Sequence, residues 1–413
     1  MKTSFQIWLD KRAGSFLNLM LFIPVRILGI ILRINHNLDK PIDRIVVAKY
    51  KGMGSIIQAS GLLAALRDKY PNAEIVFLST KANSGILNYY TSFISGQLLI
   101  DDSSLFRLKI SSIRALFKMW KFRPQLFIDL EVYSNYGTLM CTLSAATNRM
   151  GFYRSDKDYR TGLYTHLMVY NIKAPLSEIY MQTARMLGIN ILTGQLPYLN
   201  KNSEDELNLF SKFPGLKNKK YFIINPNASD LRLERRWPAA SFKNLLSQLI
   251  IDYPEYYFVL VGNKAEQAYV SEISGLFKDE ARVTDTSGQL NLSELIELIR
   301  NSETVITNDT GPLHLSLALQ KNTVGLFGPC SPAQYGQMQF CTPVYMNLYC
   351  SPCVHEFLIP PCGGNNRCMQ DIQVGRVLDA IRISSGAEKN ALNETIIYMS
   401  GNRALGFVEN RKK

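Results

Sequence analysis

Residues 44–79 read RIVVAKYKGMGSIIQASGLLAALRDKYPNAEIVFLS, and this stretch decides the fold. Arg44 to Tyr50 is a short apolar run typical of a buried strand, and Glu74 to Leu78 is a second run of the same kind. Between them, Ile56 to Tyr70 has the apolar spacing of a helix, which ends before Pro71. A strand, a helix and a strand in this order predict a βαβ unit, and therefore an α/β fold with a parallel sheet.

The same alternation continues along the chain in two blocks. The first block adds Leu126 to Leu130 and a weaker run, Gln97 to Asp101. After the polar stretch 200–220, further apolar runs predict strands at Tyr221 to Asn225, Tyr257 to Val261, Arg282 to Asp285, Thr304 to Thr307 and Thr323 to Phe327. Because 413 residues exceed what one core usually organises, we predict two α/β domains. They are residues 41–199 and 221–385, joined by a linker, 200–220, and followed by a tail, 386–413.

The composition excludes a disordered chain and suggests an anionic partner. Hydrophobic residues make up 46% of the chain and charged residues only 19%, which is typical of a packed globular protein. Lys and Arg number 46 against 34 Asp and Glu, for a net charge of +12. We find no basic stripe interleaved with aromatic residues, no zinc-finger spacing and no recognition-helix pattern, so we expect no nucleic-acid partner. Anionic lipid or a phosphorylated substrate fits this charge better.

The N-terminal segment is apolar but carries cations. Residues 16–34 read FLNLMLFIPVRILGIILRI, and Arg26 and Arg33 would be costly inside a bilayer. An interfacial amphipathic helix on an anionic leaflet explains the apolar length and the cations together. The alternative is a helix that packs on the protein's own core or on a dimer partner. We predict that residues 1–40 form a membrane-docking segment.

The loop after the first strand is Lys51-Gly52-Met53-Gly54-Ser55, and it leads directly into a helix. Its glycines allow a tight turn, and the start of the helix could hold an anion or a sugar hydroxyl. The loop lacks the third glycine of a dinucleotide fingerprint and the ending of a P-loop. A plain tight turn is an equal alternative.

Two loops of the second block carry a sharper signal. Residues 307–314 read TNDTGPLH between a strand and a helix, where Asp309 or Thr310 can cap the helix. Thr310, Gly311 and the following amides would make a diphosphate cradle, with His314 one turn along. The alternative is merely a well-capped helix.

The second loop begins with NPNASD, residues 225–230, and continues to Arg235 and Arg236. An arginine at a strand end can neutralise a departing phosphate, although a cluster of this kind is by default a solvated loop. Both loops follow strands of one predicted sheet and should meet at one edge. This placement favours an anionic nucleotide ligand.

Four of the seven cysteines crowd together, at Cys350, Cys353, Cys362 and Cys368. This crowding is not typical of a secreted disulfide framework and indicates a reducing compartment. The CxxC pair could supply two ligands of a structural zinc, but the other pair is spaced more loosely than in a zinc ribbon. Buried free thiols or a disulfide would satisfy the same sequence, so we expect no metal, with structural zinc as the alternative.

Together these motifs resemble glycosyltransferase family 9, the heptosyltransferase family of lipopolysaccharide synthesis. The resemblance covers roughly Arg44 to Ile372. It rests on residues 44–79, IDLE from Ile128, NRMGF from Asn148, RRWP from Arg235, ITNDTGPLHLSLAL from Ile306 and GLFGPCSP from Gly325, and on the cysteine segment from Cys350 to Met369.

The resemblance implies a GT-B fold, in which two Rossmann-like domains face each other across a cleft. The N-terminal domain would receive the acceptor through the loop of Gly52, Met53, Gly54 and Ser55, and the C-terminal domain would bind a nucleotide sugar. Members of the family are inverting enzymes that need no metal, and ADP-heptose is their best-known donor. Their acceptors are lipid-linked saccharides, so the enzyme should lie peripherally on the cytoplasmic leaflet of the membrane.

The resemblance also implies roles for single residues. Thr310 and Gly311 would hold the diphosphate, flanked by Asp309 and His314. Further donor contacts fall on Ser229, Asp230 and Arg235 at the phosphates, on Leu290 near the nucleobase, and on Gly262 and Glu266 in a nucleotide-side loop.

One position departs from the family pattern. The family usually has Asp directly after the glycine of the first loop, where this chain has Ser55. A serine hydroxyl is a very weak base at neutral pH, so we predict that Glu131 replaces the carboxylate as catalytic base. Asp129 should point the opposite way and support the loop. One alternative is that Glu131 only pairs with a basic neighbour such as Arg149 or Arg154. A separate alternative, based on Ser55, is that the protein is an inactive nucleotide-sugar binding or regulatory protein. An epimerase of the same fold is not favoured by these motifs.

Overall fold

The structure is a computed structural model that describes residues 8–154, 159–190, 196–197, 199–228, 232–336, 339–354, 357, 360–385 and 397–400. The chain divides into two compact units, residues 1–197 and 198–413. Each unit contains one parallel β-sheet with helices, which confirms the predicted two-domain α/β fold.

The first unit contains a six-stranded parallel sheet in the order β3-β2-β1-β4-β5-β6. This is the strand order of a Rossmann sheet, which reverses direction between β1 and β4. The strands are β1 Arg44–Ala48, β2 Glu74–Thr80, β3 Gly96–Ile100, β4 Leu126–Asp129, β5 Asn148–Tyr153 and β6 His166–Val169. The helices are α1 Ser15–Ile31, α2 Met53–Gln58, α3 Ser60–Lys69, α4 Ser84–Leu87, α5 Leu105–Phe122, α6 Asn135–Leu143 and α7 Leu176–Met186.

The apolar runs of β1, β2 and β4 are buried on both faces, whereas the weaker run of β3 is half-buried. Val46 and Phe127, on the neighbouring strands β1 and β4, are fully buried and are paired in register. A strand covered by helices on both faces has no solvent side, so its sequence is continuously apolar rather than alternating.

The second unit repeats this plan with a seven-stranded parallel sheet in the order β13-β12-β11-β10-β7-β8-β9. Its direction reverses between β7 and β10. The strands are β7 Tyr221–Asn225, β8 Tyr257–Leu260, β9 Val283–Asp285, β10 Thr304–Asn308, β11 Asn322–Phe327, β12 Cys341–Asn347 and β13 Ile397–Ser400. The helices are α8 Ser203–Lys212, α9 Ala239–Asp252, α10 Gln267–Ser274, α11 Leu292–Arg300, α12 Gly311–Ala318, α13 Pro332–Tyr335, α14 Arg367–Gln370 and α15 Val374–Ser385.

The predicted linker, residues 200–220, is an ordered part of the second unit. The Asn202 side chain caps α8 by accepting the amide of Glu204 at 3.1 Å, and Ser293 of α11 donates to Asp205 at 2.8 Å. Arg300 donates to the carbonyls of Leu199 and Asn200. The predicted tail also contributes a strand, since β13 pairs with β12.

The described part of the N-terminal segment, residues 8–40, packs on the first unit as helix and loop. A π-helical turn, Asp10–Gly14, leads into α1. The Asp10 carboxylate accepts the amides of Asn135 and Tyr136 at 3.0 and 2.7 Å, and so caps α6. In the part of the chain described, Asp10–Ile31 is the one helical stretch long and apolar enough to cross a membrane by length and composition. Membrane docking by residues 1–40 stays a prediction.

Candidate active site

In the first unit, the candidate residues gather where β1 and β4 end. Glu131 lies two residues beyond β4, and its Oε1 accepts the amides of Tyr50 at 2.8 Å and Lys51 at 3.1 Å. Its Oε2 lies 2.8 Å from Nζ of Lys49. Glu131 therefore reaches the start of the loop that contains Ser55, because the carboxyl ends of neighbouring parallel strands meet at one edge.

The cation paired with Glu131 differs from both sequence candidates. Arg149 donates instead to the carbonyls of Ala146 and Leu163, and the Arg154 guanidinium lies over the ring of Tyr133. The alternative that Glu131 pairs with a basic neighbour thus agrees with the structure, but the neighbour is Lys49, directly after β1. Sequence reasoning missed Lys49 because a lysine inside an apolar strand is normally exposed at a sheet edge rather than buried.

The electrostatics of Glu131 favour its ionised form. Burial disfavours the charge, but Lys49 and the two backbone amides outweigh burial and lower the pKa of Glu131. A carboxylate that already accepts three donors has little tendency to take another proton. The predicted role of Glu131 as base stays a prediction, and its observed contacts are those of an anchor for the loop after β1.

Asp129, at the end of the same strand, has a raised pKa, whereas the pKa of Glu131 is lowered. Its side chain is fully buried, its Oδ1 accepts the amide of Glu131 at 2.9 Å, and its Oδ2 accepts the Tyr164 hydroxyl at 2.7 Å. Burial raises the pKa of Asp129 to about 7. The carboxyl group supports the backbone that carries Glu131.

The loop of Gly52, Met53, Gly54 and Ser55 turns at a backbone conformation that strongly favours glycine. Gly52 has a φ of +87°, in the left-handed region, and α2 begins at Met53. The Ser55 side chain is hydrogen-bonded to the hydroxyl of Tyr180, which is buried in α7. Ser55 is thus held by the scaffold at the position where a carboxylate was expected.

In the second unit, two asparagines join the ends of β7 and β10. Asn225 donates to the hydroxyls of Thr307 at 2.8 Å and Thr310 at 2.7 Å. Asn308 donates to the carbonyls of Pro226 and Asn227, each at 3.0 Å. Sequence reasoning missed this role of the asparagines. Their position as the last residue of each of the two strands beside the reversal point was the available signal.

Arg235 lies against the loop after β10. Its Nη1 donates to the Asp309 carbonyl at 3.1 Å and lies 3.7 Å from the Asp309 carboxylate. Burial lowers the pKa of Arg235, but Cys330, Asp309 and other neighbours reverse this effect and raise it overall, so the guanidinium is cationic. Its Nε is buried without a hydrogen-bond partner among the described residues. The Nε of Arg236 is likewise buried without a partner among the described residues, but its guanidinium stacks 4.2 Å from the centre of the Tyr269 ring.

The N-terminus of α12 follows directly. Thr310 is the residue before the helix, as predicted, but its side chain makes no capping bond because its hydroxyl is held by Asn225. The first amides of the helix therefore keep their capacity to bind an anion. His314 is buried, with Nε2 3.8 Å from Asp309, and burial lowers its pKa although Asp309 opposes this effect. His314 is neutral at pH 7.

The nucleotide-side loop packs beside the loop after β7. A side chain at Gly262 would lie 2.8 Å from Nδ2 of Asn227, so the backbone approaches closely there. Glu266 accepts the amide of Asn263 at 2.9 Å and closes the turn before α10. Leu290 is half-buried just before α11. Ser229 and Asp230 lie outside the described residues.

The cysteine segment lies near this edge of the sheet, and its residues His355 and Glu356 are outside the described residues. All seven cysteines are free, so the disulfide alternative has no support. No three His, Cys, Asp or Glu side chains among the residues described are grouped to hold a metal ion. Burial, followed by the neighbouring thiols Cys353, Cys350 and Cys362, raises the pKa of Cys368 to about 12. Burial also raises the pKa of Cys353.

Comparison with known proteins gives a consistent set of similarities. The sequence model of glycosyltransferase family 9 (heptosyltransferase) matches residues 138–358. Lipooligosaccharide heptosyltransferase 2 of Campylobacter jejuni is 29% identical over 174 residues, which are 40% of this chain and 52% of the relative. The chain thus spans about half the length of this relative. Lipopolysaccharide heptosyltransferase 1 of Campylobacter coli is 24% identical over 74% of this chain and 86% of the relative.

The solved structures show the same fold. E. coli ADP-heptose LPS heptosyltransferase II superposes with a TM-score of 0.65 at 18% identity, over 83% of this chain and 98% of that one. A family 9 glycosyltransferase from Veillonella parvula superposes with a TM-score of 0.63 at 18% identity, over 75% and 88%. At this identity the likeness establishes the fold and leaves the ligands open.

Proposed function

Since the chain belongs to glycosyltransferase family 9, the heptosyltransferase family, we propose that it transfers a sugar from a nucleotide-diphosphate donor to a lipid-linked saccharide. The single observation that carries this proposal is the arrangement at the end of β10. A cationic Arg235 with an unpartnered Nε lies against Asp309, one residue before Thr310 and the first amides of α12. Backbone amides at a helix start and a guanidinium are the two groups that most often bind phosphate oxygens together.

The proposed reaction is an inverting transfer that needs no metal. The acceptor oxygen attacks the anomeric carbon while the bond from that carbon to the diphosphate oxygen breaks. The electron pair of the broken bond leaves with the diphosphate, where Arg235 and the amides of α12 stabilise the added charge. The proton of the acceptor hydroxyl passes to a base, for which Glu131 is the candidate.

The names of the relatives guide the choice of acceptor and location. They act on lipooligosaccharide or lipopolysaccharide by name, and an E. coli heptosyltransferase of this fold was solved with ADP. We therefore propose lipopolysaccharide core as acceptor, heptose as a candidate sugar, and a peripheral location on the cytoplasmic face of the membrane.

A second candidate function is favoured by the first unit. Ser55 stands where the family usually has Asp, and Glu131 is held by Lys49 and two amides. A protein without an available base would bind the nucleotide sugar and not transfer it. Binding without turnover identifies this regulatory alternative.

The test has two stages that separate these candidates. Thermal unfolding with ADP-, GDP- and UDP-sugars identifies the donor, since a ligand of the folded state raises its stability. Product analysis with that donor and a lipid-linked saccharide then measures transfer. A shift followed by transfer supports the enzyme, a shift without transfer supports the binding protein, and no shift with any donor refutes both.

We further propose that the cysteine segment holds protonated thiols rather than a metal. Burial raises the pKa of Cys353 and Cys368, so without a bound ion both are thiols at neutral pH. Elemental analysis of protein purified without chelator should find less than stoichiometric zinc or iron. One tightly held metal per chain would replace this proposal with a thiolate site.

A further inference from the structure

The helix α1 exposes far more apolar surface than a helix on a water-soluble protein. On the side that faces the domain, Asn18 is its buried residue and Phe22 lies against Gly162. Large apolar side chains face outward, among them Ile23 with 64% of its surface exposed and Ile30 with 76%. A contiguous apolar face of this size is not stable in water and marks an interaction surface.

Contacts at both ends show that α1 lies along the domain. Asp10, before the helix, bonds to the first residues of α6, and His36, after it, lies 2.6 Å from the carbonyl of Thr147 beyond the end of α6. The helical stretch Asp10–Ile31 has 22 residues and is therefore about 33 Å long. Because the chain contacts the first unit both before and after α1, this helix is placed to lie along a membrane surface.

The helix α5 presents a second exposed apolar stripe. Phe106, Ile113, Phe117 and Trp120 recur at helical spacing and are exposed by 72%, 43%, 62% and 45%. The rings of Phe117 and Trp120 contact each other edge to face, with centroids 5.1 Å apart. Four residues on one line of a helix form a continuous ridge.

A row of cations runs beside this stripe. Each apolar residue is followed by a basic one, so the cations have the same spacing, at Arg107, Arg114, Lys118 and Lys121. The helix contains no Asp or Glu. In the part of the chain described, no ion pair involves Arg114, Lys118 or Lys121. Arg107 lies 3.9 Å from the Asp101 carboxylate. An apolar ridge beside the other three cations complements the acyl region and the phosphates of an anionic leaflet.

The two helices pack on the same helix, α6. Ser112 of α5 hydrogen-bonds to the Tyr136 hydroxyl at 2.6 Å, and Asp10 accepts the amide of that same tyrosine. At the other end of α6, Trp120 donates to the Leu143 carbonyl at 2.7 Å. We propose that α1 and α5 together form one docking surface for an anionic phospholipid bilayer, with α5 supplying the charge recognition. The proposal rests on the membrane location proposed above and adds α5 to the N-terminal segment.

Flotation of the full chain with vesicles tests this surface. We expect binding to phosphatidylcholine vesicles that contain phosphatidylglycerol and much weaker binding to phosphatidylcholine alone, with the difference lost at high salt. The double substitution Phe106→Asp/Phe117→Asp should lower the partition coefficient roughly tenfold or more, because two aromatic side chains no longer enter the interface. Arg114→Gln/Lys118→Gln should lower it about tenfold for anionic vesicles only.

Matched controls lie in the second unit. Ile251 is exposed by 70%, and Ile251→Asp should leave flotation unchanged. Lys217→Gln/Lys278→Gln removes the same charge from exposed positions and should also have no specific effect. In Trp8→Phe protein, brominated lipid should quench the fluorescence of Trp120, since the remaining tryptophan, Trp237, is fully buried.

Three outcomes would overturn the proposal. They are unchanged flotation of both α5 variants, equal binding to neutral and anionic vesicles, and a wild-type dimer that Phe106→Asp/Phe117→Asp converts to a monomer. The last result would identify the surface as an interface between two copies of the chain. Flotation needs neither donor nor acceptor, so its failure and the failure of sugar transfer are distinguishable.

Discussion

At the scale of single residues, Arg235 and Arg236 are adjacent in sequence but have different surroundings. Arg235 lies against Asp309, whereas Arg236 stacks on Tyr269. We expect Arg235→Gln to lower kcat about 100-fold, the order of effect of removing one charge-stabilising donor. Arg236→Gln is the matched control and should change kcat only a few-fold. Steady-state kinetics with calorimetric donor binding measures both.

The ratio of these effects tests the role of Arg235. Stabilisation of the leaving diphosphate requires kcat to fall more than donor affinity. An equal fall in kcat/KM and in affinity would make Arg235 a simple binding residue.

The ion pair of Glu131 with Lys49 means that a single substitution cannot test Glu131 as the base. Glu131→Gln removes basicity but also leaves Lys49 buried without its partner, which costs about 3–5 kcal/mol. Lost activity in that variant alone therefore has two explanations. We expect the double variant Lys49→Met/Glu131→Gln to regain thermal stability and to stay inactive if Glu131 is the base.

Recovery of transfer in the double variant would contradict the base assignment. It would leave Glu131 as an anchor of the loop after β1. Adding Ser55→Asp to the inactive double variant is the complementary test, since a carboxylate there should restore turnover only if the two positions offer alternative bases.

Asp129 should make stability depend on pH in the sense opposite to Glu131. Its pKa is raised from 3.8 to about 7 in the folded protein. The folded state holds this proton more tightly, so the contribution of Asp129 to the unfolding free energy is present at low pH and is lost as pH rises from about 4 to 7. When it is measured by urea titration, the unfolding free energy should decline less over this pH range in Asp129→Asn protein than in the wild type. Identical pH profiles for the variant and the wild type would contradict the buried, protonated carboxyl group.

The sequence predicted the sheet edge at which these residues lie but not which residues they contact. Glu131 was expected beside the first loop because the ends of parallel strands share an edge, and it lies there. Its partner depends on which way Lys49 points, and periodicity in an apolar strand carries no such information. The pairing of Asn225 with Thr310 likewise depends on two loops that are far apart in sequence.

At the scale of elements, the strands were predictable and some connections were not. Buried parallel strands have continuous apolar runs, and a crossover helix such as α3 ends at Lys69, just before Pro71. The helix α8 has one fully buried side chain, Leu209. Such a helix is mostly polar, which explains why the sequence of 200–220 resembled a linker.

The cap that Asp10 places on α6 ties the N-terminal segment to the first unit. Asp10→Ala should lower the unfolding free energy by about 1–2 kcal/mol, because the amides of Asn135 and Tyr136 lose their acceptor. Asp10→Asn keeps an oxygen acceptor and should lose less. Asp39→Ala, an exposed acidic residue of the same segment, is the control. Equal stability of the Asp10→Ala and Asp39→Ala proteins in urea titrations would contradict the cap.

At the scale of the whole molecule, both units place their candidate residues where the strand order reverses. Glu131 and the first loop follow β4 and β1, and Arg235 and Thr310 follow β7 and β10. An open parallel sheet leaves a crevice at that point because neighbouring connections run to opposite faces. The location of both sites therefore follows from the topology, while their chemistry follows from the residues present there.

Because each unit has its own sheet and core, donor binding should stabilise the second unit selectively. Trp237 is fully buried in that unit, whereas Trp8 and Trp120 belong to the first. In Trp8→Phe/Trp120→Phe protein, fluorescence reports the second unit alone. A donor at about 100 times its Kd should raise the unfolding free energy of that transition by about 2.7 kcal/mol.

Gly311→Val should abolish this increase by placing a side chain at the phosphate cradle. Gly375→Val is the matched control, since Gly375 lies in the first turn of α15 and a Cβ there would have no neighbour within 4 Å. An unchanged increase in folded Gly311→Val protein would place the diphosphate elsewhere than at α12.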